Sequence, residues 1–103
     1  MGISEDRGDG MDRCKEISIR REVLLEGYAG ILVRFLDYFE KEHINPETAV
    51  GDSNVFLFLQ AVEICQNLIH MDSMEELLAA EGQFRLLRRT ANRLNGYPVD
   101  APV

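Results

Sequence analysis

Two histidines, two cysteines and no tryptophan in 103 residues leave this chain short of the side chains that most often carry chemistry. Nucleophilic catalysis needs a nucleophile beside a base, and a phosphate cradle needs a glycine-rich loop; neither stands at a working spacing. Cys65 and His70 are five positions apart, which turns their side chains about 140° from each other on a helix. Glu63, Asn67 and His70 share a helical face, but one His and one carboxylate do not make a structural zinc site or a di-iron site. No catalytic residue, cofactor site or metal ligand set is therefore expected, and the chain reads as a non-enzyme. Cys14 and Cys65 show no CxxC spacing and are expected to stay reduced, with Cys65 as a small core residue.

Long apolar runs are missing too. No stretch approaches the 18 or so apolar residues of a membrane span, and MGISEDRGDG has neither the basic cluster nor the apolar core of a secretory signal. The expected location is the cytoplasm. Basic charge is scarce: eleven Lys and Arg stand against eighteen Asp and Glu, for a net charge of -7. Such a chain is repelled by phosphate backbones and anionic lipid, so direct nucleic-acid and membrane partners are not expected. The imbalance is uneven. Residues 82–103 carry four Arg against Asp100, whereas residues 34–81 carry ten acids against Arg34 and Lys41.

What is present is apolar periodicity of 3.6 residues, and it predicts an all-α, three-helix domain with a long first helix. Residues 1–13 combine three glycines with six charges and are expected to form a flexible N-terminal arm. Residues 14–97 form the helical domain and residues 98–103 an extended C-terminal tail held open by Pro98 and Pro102. From Glu16 to Glu42, one row runs Leu24, Tyr28, Ile31, Phe35, Tyr38 and a second runs Leu25, Ala29, Leu32, Leu36, Phe39, about 100° around the axis. Gly27 and Gly30 within it predict close packing by a neighbour. Asn45-Pro46 ends the helix and opens a loop.

Asp52 or Ser53 caps a second helix with rows Val55, Phe58, Val62, Cys65, Ile69 and Leu57, Ala61, Ile64, Leu68. Ser73 and Glu76 match a capping box that opens a third helix. Its seam is Leu77, Ala80, Phe84, Leu87, Ala91 and Leu94, and Gly96 stops it. The break between helices two and three has no strong marker. Arg85, Arg89 and Arg93 lie opposite the seam, where pairing with acidic surface explains them better than a nucleic-acid stripe.

Two rows on each of two helices exceed what one row per helix would bury, and surplus apolar surface of that size marks an interface. The expected cover is a second copy of the chain, giving a helical homodimer. The candidate partner or dimer contacts are Leu25, Tyr28, Leu32, Phe35, Leu36, Phe39, Phe56 and Ile64, the aromatics as anchors because aromatic side chains dominate such contacts.

The segments GYAGILVRFLDYFEKEH and FLFLQAVEICQNLIH, with the Gly96-Tyr97-Pro98 exit, give the chain a layout that resembles the small QslA-like quorum-sensing anti-activators of pseudomonads. That resemblance implies an inhibitor that sequesters a LuxR-type transcription regulator and blocks its dimerisation or DNA binding. An acidic dimeric chaperone or adaptor for a secreted or regulatory partner shares the same size, charge and apolar surplus.

Overall fold

A computed structural model describes the backbone of residues 2–103 and the side chains from Cys14 onward. The N-terminal arm expected over residues 1–13 falls outside the described side chains. Three helices make up the chain, α1 (Gly2–Lys41), α2 (Ser53–Leu68) and α3 (Met74–Leu94), and no strand occurs among the described residues. The all-α expectation holds.

Helix α1 is the hub, packing against both α3 and α2, which meet each other less. Its buried ridge is Leu24, Tyr28, Ile31, Phe35 and Phe39, each 5% exposed or less. The ridge thus follows the first predicted row to Phe35 and then steps to Phe39, while Tyr38 is half-buried beside it. Steps of four, three, four and four keep the ridge facing the groove between the other two helices. Two neighbours cover a wider arc than one, so Leu25 and Leu32 are also partly buried against the core. The expectation of one buried row per helix is corrected by this geometry: most of the apparent surplus on α1 is covered within a single chain.

Aromatic rings knit α1 to its neighbours. Phe58 of α2 meets Phe39 edge-on at 5.5 Å and Phe35 at 6.2 Å, and Phe84 of α3 meets Tyr28 at 5.4 Å. Gly27 permits that last contact, because a Cβ there would sit 2.6 Å from the Phe84 ring. Gly30 does the same for Val103, whose Cβ would be 2.9 Å away. The close packing predicted for both glycines is what the structure contains, and it offsets the loss of about 1 kcal/mol of helix propensity that each brings.

Helix ends follow local chemistry. Asp52 caps α2, its carboxylate accepting from the N–H groups of Asn54 and Val55 at 2.8 and 3.2 Å. Ser73 takes the N-cap position of α3, yet its side chain makes no cap hydrogen bond, so the predicted capping box is a correct boundary reached by another route. Helix α1 stops well before Pro46, with His43 in the left-handed region (φ 57°) and the Ile44 N–H donating to Phe39 O at 2.8 Å. A left-handed residue flanked by this long backward bond is a Schellman ending, and Ile44 tucks against the core to complete it. Gly96 (φ 74°) ends α3 likewise, with Tyr97 N–H donating to Asn92 O at 2.9 Å.

Residues 97–103 do not trail away as an extended tail. They fold back over α1 and α3 as a strap. Its anchor is Asn92, fully buried on α3, whose amide donates to the carbonyls of Val99 and Ala101, both at 2.9 Å. Arg34 of α1 donates to the Asn92 side-chain oxygen and, at 2.7 Å, to Pro102 O, while its guanidinium stacks 4.6 Å above the Tyr97 ring. Proline restricts local φ but does not decide where a segment docks; the buried amide supplies the partners that do.

Candidate protein-docking surface

The predicted contact residues separate by burial. Tyr28, Phe35 and Phe39 are at most 1% exposed and belong to the intrachain core, so they present no outward surface. The Tyr28 hydroxyl donates to Ala80 O at 2.8 Å, and burial, with Cys65 nearby, pushes its phenol far above the ordinary tyrosine value. It is a neutral structural bridge between α1 and α3. Leu25, Leu32 and Ile64 are half-buried against the core. Leu36 and Phe56 do stand outward, at 47% and 66% exposure. The structure therefore does not gather the eight residues into one surface.

A different set converges between α1 and α3. There a groove of about 660 Å³ has an apolar floor of Leu24, Gly27 and Phe84, with Ile19 and Val23 on its α1 edge. Ile19 and Val23 lie one turn apart and are 60% and 64% exposed. Neither sits in the two rows on α1. An apolar i, i+4 pair set among Arg20, Arg21, Glu22 and Glu26 is the signal that locates this face, because a purely solvated face has no use for it.

Charges rim the groove. Arg20 is held at 3.4 Å from Glu16 of its own helix and donates to Glu81 of α3 at 3.2 Å, linking the two walls. Arg85 and Arg88 of α3 line the groove further along, and Pro102 and Val103 of the strap reach it too. An apolar floor with a polar rim is the usual anatomy of a protein contact. A second hollow of about 540 Å³ lies between α2 and α3, lined by Ile64, Asn67, His70 and Met71 among others. Among the described residues no three His, Cys, Asp or Glu side chains are grouped to hold a metal ion, and both cysteines are free thiols. No described helix is long and apolar enough to cross a membrane.

A family model for bacterial epsilon antitoxin matches residues 15–94. The chain belongs to the bacterial epsilon antitoxin family. The matched stretch takes in α1 from Lys15, all of α2 and all of α3, and therefore both walls of the groove. It stops at Leu94, so the strap lies outside it. Neither the curated proteins nor the solved structures provide a significant match. Membership in an antitoxin family agrees with the coarse part of the earlier resemblance, a small protein that inhibits by holding a protein partner. It lends no support to quorum sensing or to a LuxR-type target.

Proposed function

We propose that this antitoxin neutralises a toxin protein by binding it, without catalysing a reaction, and that the α1–α3 groove with Ile19 and Val23 is the seat. The family match over residues 15–94 carries the reading. The groove supports it because binding by exclusion needs an apolar seat with a polar border and nothing more. A net charge of -7 favours a protein partner over nucleic acid or anionic lipid.

Depletion of the protein from its native cells should arrest growth, and loss of one second gene should relieve the arrest. The product of that gene should bind the purified antitoxin. Normal growth on depletion would overturn the reading. Sequestration of a LuxR-type regulator is the finer alternative, and it stands only if the relieving gene encodes such a regulator; a secreted effector there would favour the chaperone reading.

A homodimer is proposed alongside, on the strength of Leu36 and Phe56, which remain outward after α1, α2 and α3 have packed. Sedimentation at micromolar concentration should give about twice 11.7 kDa. A single species at the monomer mass would remove the dimer and leave the toxin reading intact.

A further inference from the structure

Arg88 carries an unusual debt for a side chain beside a groove. Its Nε–H is buried and, among the described residues, is the one buried side-chain nitrogen or oxygen with no hydrogen-bond partner. Its guanidinium carbon lies 5.5 Å from the centroid of the Phe84 ring on the groove floor. Among the described residues, the carboxylate that pairs with it is Asp100 of the strap, whose Oδ1 is 4.0 Å from Arg88 Nη2 and 3.9 Å from Arg89 Nε. Those separations are at the outer limit of an ion pair, and the Asp100 side chain is 73% exposed. Asp100 therefore neutralises the arginines loosely and leaves the Nε–H unanswered.

We infer that the arginine end of the groove is a seat for a carboxylate of the docked protein, held by Arg88 and Arg85, with Asp100 as a weak intramolecular stand-in. The inference rests on the proposed binding role of the groove. A guanidinium presents a planar fork that a carboxylate answers with two parallel hydrogen bonds, so one acidic side chain would satisfy the orphan donor. Arg85 also lines the groove and has no ion pair among the described residues. The surrounding charge agrees, since residues 82–103 are the basic end of an acidic chain. A polyanion fits poorly, because Glu26 and Glu81 border the same groove. The occupant is thus a protein segment with an apolar side and a single acidic residue.

Exchange needs little movement. The carbonyls of Val99 and Ala101, on either side of Asp100, are pinned by the Asn92 amide, and the Ala101 N–H donates to Pro98 O at 3.0 Å. The Asp100 side chain can turn out to solvent while the strap stays docked. Its release is a rotamer change.

The free protein tests the seat without any partner. Sodium acetate should move the NMR resonance of the Arg88 Nε–H beyond the effect of equal sodium chloride, and half-saturation should come at roughly threefold lower acetate in Asp100→Asn, which lacks the competing charge. A response no larger than that to chloride would overturn the seat. Calorimetry with the protein whose loss relieves growth arrest then tests its use. Asp100→Asn should bind about threefold more tightly, and Arg88→Gln at least tenfold more weakly. In the double variant the gain from Asp100→Asn should vanish, because the two positions act through one contact. Arg88→Lys keeps the charge and stem but not the Nε–H, and it should also bind more weakly, which separates loss of the donor from loss of folding. Equal gains from Asp100→Asn with Arg88 present or replaced would overturn the inference. An acetate response without any arrest-relieving partner would keep the seat and discard the toxin reading.

Discussion

Replacing Phe35 with alanine should lower the unfolding free energy by about 3–5 kcal/mol, the range for removing a buried aromatic ring from a packed core. Phe35 is fully buried, and its ring stands among those of Phe39 and Phe58 at 6.1 and 6.2 Å. Truncation would leave a void bounded by two rings and the α1–α2 contact, where neither helix can close up without separating the other ring pairs. Domains of this size hold roughly 5–15 kcal/mol in total, so the variant should sit near the edge of folding. Urea unfolding followed by circular dichroism measures the change. A loss under 1 kcal/mol, or lost binding at unchanged stability, would show that Phe35 faces a partner after all.

Val23→Asp should give the opposite pattern. Val23 is 64% exposed on the edge of the groove, so the substitution removes little buried surface and should change stability by less than about 1 kcal/mol. In a bound complex the same carboxylate would be trapped against apolar surface without a partner, a loss of several kcal/mol. Affinity for the arrest-relieving protein should fall at least a hundredfold, and the variant should fail to restore growth to depleted cells. Val50→Asp is the control, because Val50 is 83% exposed in the α1–α2 loop, far along the chain from the groove residues. Full growth rescue by Val23→Asp would move the docking surface elsewhere.

Helices were legible because their signals are local. The seam of α3 needed only the spacing of Leu77, Ala80, Leu87 and Ala91, and Asp52 announced α2 by chemistry confined to one turn. Periodicity says which residues share a face, but it does not say how many neighbours that face receives. Tyr28, Phe35 and Phe39 read as interface anchors because they are aromatic, whereas in the fold α1 serves two neighbours at once and all three are buried between them. The strap was illegible for a related reason. Asn92 reads as one more polar residue on a helix until Val99 and Ala101 arrive to accept from it, and Arg34 is 58 positions away from that amide. The groove left a faint local trace in Ile19 and Val23, yet its floor depends on Phe84, brought by tertiary packing.

Helix α1 is shared between the core and the groove, and this ties occupancy to survival. The ridge from Leu24 to Phe39 is the surface against which α2 and α3 close, while Ile19, Val23 and Gly27 of the same helix face the groove. A ligand gripping that helix engages only the folded chain, so it shifts the folding equilibrium by mass action. At a free concentration one hundred times its dissociation constant, the shift is about 2.7 kcal/mol, roughly a hundredfold fewer unfolded molecules. Wherever degradation proceeds through the unfolded state, an engaged molecule would outlive an idle one, and the lifetime of the protein would report how much of its target is present.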